Sequence, residues 1–167
     1  DAYRDQIVDV IEATPQHQYQ VLTKRPEQLA AYARRRRLPA NFWAGVTIES
    51  ARFTARADIL RTVDVPIHFI SAEPLLSPLS NLDLTGIAWL ITGGESGLHL
   101  RDAAVRTRRG LAEPRDGRWH PRRARYHWIT QLRDMALDTQ TAFFHKQWGG
   151  PTPKSAGLSL PKSRARC

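Results

Sequence analysis

The sequence predicts an α/β fold: a partial (β/α) TIM-type barrel or an open parallel sheet, with about five strands and flanking helices. Three observations point there. Short, almost continuous apolar runs alternate with segments of helical spacing, as expected for strands covered by crossover helices. Each run ends in polar or charged residues that lead into a helix start or a glycine turn. The chain's 167 residues fall short of the roughly 250 that an eight-unit barrel takes.

Asp1 to Thr14 carries Ile7, Val8, Val10 and Ile11 at helical spacing and stops before Pro15, which predicts an amphipathic helix. Because Asp1 already lies inside that pattern, the chain is expected to begin partway into a larger protein. His17 to Thr23 reads as a strand, and Lys24-Arg25-Pro26 places proline in the first turn of a helix reaching about Arg36. Phe42 to Ile48 is the second strand, with Gly45 relaxing its packing or permitting a bulge. Ser50 is a candidate N-cap for a helix holding Phe53, Ala57, Ile59 and Leu60.

The third strand, Ile67 to Ile70, runs into Ser71-Ala72-Glu73-Pro74, and the fourth, Ile87 to Ile91, into Thr92-Gly93-Gly94-Glu95-Ser96-Gly97. From Leu98 to His120 the pattern dissolves among Gly110, Pro114 and Gly117, so 98–120 is expected to be an arginine-rich loop or insertion. Helical spacing resumes with Trp128, Ile129, Leu132, Met135 and Ala136 before a fifth strand at Thr141 to Phe144. Residues 1–155 are thus expected to form a single domain, with 156–167 a flexible C-terminal tail ending in a frayed Cys167.

Composition narrows the function classes. One cysteine rules out an intramolecular disulfide framework, and no HExxH or CxxC spacing offers a metal site. No apolar run approaches the ~20 residues of a membrane span, and the first residues lack a signal-peptide pattern, so a cytoplasmic protein without membrane contact is expected. The formal net charge of +9 favours anionic partners. Much of it is local: nine arginines lie between Arg101 and Arg125 against Asp102, Glu113 and Asp116. These nine, Arg101, Arg106, Arg108, Arg109, Arg115, Arg118, Arg122, Arg123 and Arg125, are candidate contacts for nucleic acid or an acidic protein, with Trp119, Tyr126 and Trp128 as stacking faces. The plain alternative is a solvated basic segment. Arg34 to Arg37 read as the solvated end of a helix.

Right-handed crossovers bring all parallel strand ends to one edge, the usual ligand edge of α/β folds. The ligand-binding candidates are therefore Lys24, Thr47, Glu49, Ser71, Glu73, Gly93, Gly94, Glu95, Ser96, Lys146, Gln147 and Trp148. Glu49, Glu73 and Glu95 would orient a cationic group or transfer protons; equally, they would cap helices or pair with Lys24 and nearby arginines. Lys146 and Gln147 suit a phosphate, a carboxylate or a nucleobase. Trp148 would either stack on a flat ligand or complete the core. If the chain is most of a barrel whose first units are absent, the edge of the first strand is expected to be covered by a further N-terminal segment or a second chain, or to aggregate.

VLTKRPEQL at 21–29, FWAGVTIES at 42–50, HFISAEPLLSPL at 68–79, WLITGGESG at 89–97 and FFHKQWGGPTPKS at 143–155 together resemble an uncharacterised phage and bacterial protein family with radical-SAM-like barrels. The resemblance implies a partial TIM-type barrel whose mouth lies at these strand ends. It also implies an upstream cysteine segment, able to hold an iron–sulfur cluster and engage S-adenosylmethionine. This chain lacks that segment, so it is expected to carry neither group and no radical activity by itself. Gly93-Gly94-Glu95 is similar to the element that meets the amino group of S-adenosylmethionine, although the motif is short and a tight strand-to-loop turn is the better explanation of the glycines. The two readings of function are the C-terminal portion of a radical-SAM-like protein with a strand-end pocket, and a non-catalytic basic module binding nucleic acid or an acidic partner.

Overall fold

Apolar runs this short can be buried on both faces only if they share a sheet, and the computed structural model places them in one. It describes residues 2–160. In chain order the elements are α1 (Ala2–Ala13), β1 (Tyr19–Thr23), α2 (Pro26–Arg35), β2 (Phe42–Thr47), α3 (Arg56–Leu60), β3 (Ile67–Ala72), β4 (Trp89–Gly93), α4 (Ala103–Arg109), β5 (Ala112–Arg115), β6 (Arg118–Pro121), α5 (Tyr126–Asp138) and β7 (Ala142–Gln147). Five strands form a parallel sheet in the order β1-β2-β3-β4-β7. Because consecutive strands are neighbours, right-handed connections place the crossing helices on one face.

The alternation of side chains separates the two faces. Phe42, Ala44 and Val46 of β2, Ile70 and Ala72 of β3 and Leu90 of β4 enter the core with Ala30 and Tyr32 of α2 and Ile129, Leu132 and Ala136 of α5. The opposite face is layered by register. One row runs Leu22, Gly45, Phe69, Trp89 and Ala142. The next row toward the strand ends runs Thr47, Ser71, Ile91 and Phe144, with Lys24 immediately after the Thr23–Val46 pair. Leu22 and Phe144, at the two flanks, are about half exposed (48% and 50%). Of the two expected architectures the structure has the open sheet, with β1 and β7 at opposite ends of the strand order.

Capping holds the helices to that sheet. Buried Asn41 directs its side-chain amide to the carbonyls of Ile11, Thr14 and His17 (2.9, 3.1 and 3.0 Å), satisfying acceptors at the end of α1. Arg36 reaches Asp9 and Glu12 of α1 (2.8 and 3.2 Å), so the 34–37 block is tied to α1 as well as solvated. Ser50 makes no side-chain cap; a short 3-10 turn at Ala51–Phe53 intervenes before α3. The third and fourth strands each extend past their expected ends, to Ala72 and Gly93, while Ile87 lies in the turn preceding β4.

The 98–120 segment, expected as an arginine-rich loop or insertion, has structure of its own: a 3-10 turn at Leu98–Arg101, α4, and the antiparallel hairpin of β5 and β6. Asp102 caps α4 by accepting from Val105 N (2.8 Å). Asp116 and Gly117, with φ of 51° and 72°, make the two-residue turn with two positive φ angles that matches strand twist. Arg106, Arg122 and Arg125 then bind backbone carbonyls around α4.

The expected tail is also partly fixed. Fully buried Trp148 donates its indole N–H to the Ser159 carbonyl (3.0 Å), anchoring that part of the chain. Residues 161–167, including Cys167, lie outside the described residues. Among the described residues, no helix is long and apolar enough to cross a membrane.

Gly45 is explained by space. A Cβ there would lie 2.2 Å from Phe69 Cζ, because the Phe69 ring occupies the place of a β2 side chain. Gly45→Ala should therefore destabilise the fold by about 1–3 kcal/mol in urea denaturation. Adding Phe69→Ala should cost less than the sum of the two single changes; strict additivity would refute the contact.

Candidate functional site

The strand ends place two polar groups on the layered face. At its β1–β2 side, Lys24 Nζ contacts Glu49 Oε1, while Arg56 Nη1 donates to Glu49 Oε2 (2.8 Å) and to the Thr47 carbonyl (2.7 Å). Burial is the largest influence on the Glu49 carboxyl and pushes it up. The Lys24 hydrogen bond, a backbone hydrogen bond and the charges of Lys24 and Arg56 together outweigh it, holding the group below its ordinary value. Glu49 is thus a fixed anion at neutral pH.

The second group forms where β3, β4 and β7 end. Gln147 Nε2 donates to Glu73 Oε1 (3.1 Å), Ser96 Oγ (3.0 Å) and the Gly94 carbonyl (3.2 Å). Lys146 Nζ lies 3.3 Å from Glu73 Oε2. Consecutive strand residues ordinarily face opposite ways, but the register shifts between Thr92 and Gly93, where Gly93 pairs with Gln147. That irregularity lets Lys146 and Gln147 share one carboxylate. Gly93 makes room for it: a Cβ would stand 2.8 Å from the Glu73 carboxyl carbon.

The loop after β3 joins these groups. Leu75 N donates to the Gly93 carbonyl (2.8 Å) and Leu76 N to the Glu49 carbonyl (2.7 Å), stitching the ends of β4 and β2 together. Thr47 and Ser71 lie side by side in register just below, both buried. Lys24 and Lys146 remain accessible, with side chains 58% and 55% exposed. Together these residues can receive an anionic group at the lysines and a hydrogen-bonding or cationic group at Glu73.

Other predicted residues are placed elsewhere. Glu95 forms a two-pronged ion pair with Arg109 (2.6 and 2.8 Å), and its hydrogen bond holds the guanidinium above its usual value. Gly94 is demanded by the backbone: its Cβ would sit 2.0 Å from the Trp148 carbonyl oxygen. Of the two readings of Trp148, stacking on a ligand or completing the core, the structure has the core one: the ring is stacked on Tyr126 at 5.0 Å and edge-on to His145 at 4.6 Å. Its large apolar surface is removed from water behind the sheet.

The basic segment divides in two. Arg106, Arg109, Arg122 and Arg125 are held by carbonyls or by Glu95, whereas Arg101, Arg108, Arg115, Arg118 and Arg123 have no intramolecular partner among the described residues. Trp119 and Trp128 already carry the guanidiniums of Arg106 and Arg125 at 5.7 and 4.8 Å from their ring centres.

The groups implied by the radical-SAM-like resemblance do not fit these residues. An iron–sulfur cluster needs several thiolates, and no described residue is a cysteine. No group of three metal-ligating side chains occurs among the described residues. The Glu95 carboxylate that would meet a ligand amino group is neutralised by Arg109, and the adjacent glycine serves close packing.

His145 is a buried residue the sequence placed at a strand end without a role. Its Nδ1 lies 3.0 Å from Thr92 Oγ1, while Nε2 has no hydrogen-bond partner. Burial lowers its pKa from 6.5 to about 4, so the ring is neutral in the folded protein. The unfolded chain takes up this proton at a higher pH, so the stability contribution is present above about 6.5 and is lost as pH falls toward 4. Between about pH 7 and pH 5 the expected loss is about 2 kcal/mol. His145→Phe should flatten that part of a stability–pH curve measured by urea denaturation, and an unchanged slope would contradict the neutral buried ring.

A family model described as "Protein of unknown function (DUF5131)" matches residues 1–113. That span contains Lys24, Glu49, Glu73 and Glu95 but ends before β7 and its Lys146 and Gln147. No curated protein and no solved structure matches the chain.

Proposed function

Since the chain belongs to the DUF5131 family, whose description states no reaction, we propose that its function resides in a ligand pocket at the C-terminal ends of the parallel strands. The observation carrying this reading is the layering of one sheet face: Lys24, Glu49, Glu73 and Lys146 border aromatic and apolar rows containing Phe69, Trp89, Ile91 and Phe144. An apolar surface with a few convergent polar groups is the general make-up of small-molecule sites. The ligand class is a small molecule with an aromatic or apolar body and an anionic group. Its body lies against the Phe144 side of the sheet, its anion meets Lys146 or Lys24, and Glu73 orients a donor.

Glu49, kept ionised by Lys24 and Arg56, serves as an electrostatic anchor. It is poorly suited to donating a proton at neutral pH. Under the phage-type, radical-SAM-like extension of this reading, the cluster and S-adenosylmethionine belong to a cysteine-bearing segment outside residues 2–160. The described chain contributes the pocket wall.

The dye 8-anilinonaphthalene-1-sulfonate combines an aromatic body with an anion and is a suitable probe. Native protein should enhance and blue-shift its fluorescence. Lys146→Ala should weaken binding by about 1 kcal/mol, or several-fold, and Phe144→Ala should weaken it further, with folding verified by thermal melting. Equal affinity in wild type, Lys146→Ala and Phe144→Ala would place the dye elsewhere and remove support for the pocket.

A further inference from the structure

We infer that α4 and the β5–β6 hairpin form a second site, an arginine platform for the phosphodiester backbone of nucleic acid. It is distinct from the strand-end pocket. The first observation is a like-charge pair. Arg115 and Arg118 stand directly opposite each other across the hairpin, an arrangement that repels unless an anion lies between or beside the guanidiniums. The two-residue Asp116-Gly117 turn holds the pair at the hairpin tip.

The second observation is how the arginines are used. Arg106, Arg122 and Arg125 are bound to carbonyls around α4, and Arg109 is bound to Glu95. The Arg122 and Arg125 contacts weld α4 to the segment after β6, while Arg106 and Arg109 tie α4 to the chain before it. On that frame Arg101, Arg108, Arg115, Arg118 and Arg123 are at least partly exposed and have no intramolecular partner among the described residues. Of the nearby acids, Asp102 caps α4, Glu113 lies 3.7 Å from Arg122, and Asp116, exposed in the hairpin turn, forms no ion pair with Arg115 or Arg118.

The chemistry selects phosphate. Between Leu98 and Tyr126 there are nine arginines and no lysine, and guanidinium matches phosphate oxygens in a two-pronged geometry that lysine lacks. Five separate guanidiniums suit a repeating anion better than one free ion. Since Trp119 and Trp128 are already covered by Arg106 and Arg125, recognition proceeds through phosphates, with little base selectivity.

Fluorescence anisotropy of the full chain with a labelled DNA duplex of about 20 base pairs and with single-stranded RNA of the same length tests the platform. If all five arginines meet phosphates, duplex affinity should fall about 500-fold between about 50 and 200 mM salt, and about 40-fold for Arg115→Ala/Arg118→Ala. At low salt that variant should bind at least about tenfold more weakly than wild type. Arg115→Glu should also weaken binding while leaving the melting temperature unchanged or raised, because it replaces repulsion by attraction across the hairpin.

Binding that survives Arg115→Glu, or no binding to either nucleic acid at low salt, would overturn the inference. Binding confined to phosphatidylglycerol vesicles or polyglutamate would also overturn it, assigning the arginines to another anionic surface. Lys146→Ala, at the other site, should leave nucleic-acid affinity unchanged.

Discussion

The continuous parallel ladder through Thr23, Val46, Ile70, Leu90 and Phe143 positions nearly everything else in this protein. Strand side chains alternate strictly, so this register determines which residues enter the helix-covered core and which form the layered opposite face. A slip by one residue in β3 would exchange core Ile70 with Ser71 and separate Glu73 from its partners. Helices, loops and strand-end charges all inherit their geometry from that pairing.

At the strand ends, the local irregularity of β7 matters as much as the regular ladder. It directs two successive residues, Lys146 and Gln147, to Glu73, and the missing side chain at Gly93 leaves the carboxylate its space. The three glutamates consequently differ in character. Glu49 is fixed as an anion by two cations, Glu73 is shared between an accessible lysine and an amide, and Glu95 is locked to Arg109. Similar positions at strand ends therefore carry different chemistry, determined by which neighbour each carboxylate meets.

The alternation of apolar runs and helical segments made the five parallel strands legible, and with them the strand ends that contain Lys24, Glu49, Glu73 and Lys146. The hairpin was less legible. Its strands are four residues each and contain proline and arginine instead of a hydrophobic repeat. The available signal was Asp116-Gly117, a dipeptide suited to a two-residue hairpin turn. Trp148 was ambiguous because an aromatic residue at a strand end suits either a ligand or the core, and only packing against Tyr126 and His145 resolves the difference.

By itself, the sequence determined the α/β class, the succession of the main strands along the chain and the basic character of 98–125, since periodicity and composition are local properties. The tertiary structure decided that Phe69 fills the space above Gly45, that Glu95 belongs to Arg109, and that some arginines support α4 while others remain exposed. These outcomes join residues distant in sequence. Their physical reason is the same throughout: close packing and charge pairing depend on separations that appear only when strands, helices and turns meet.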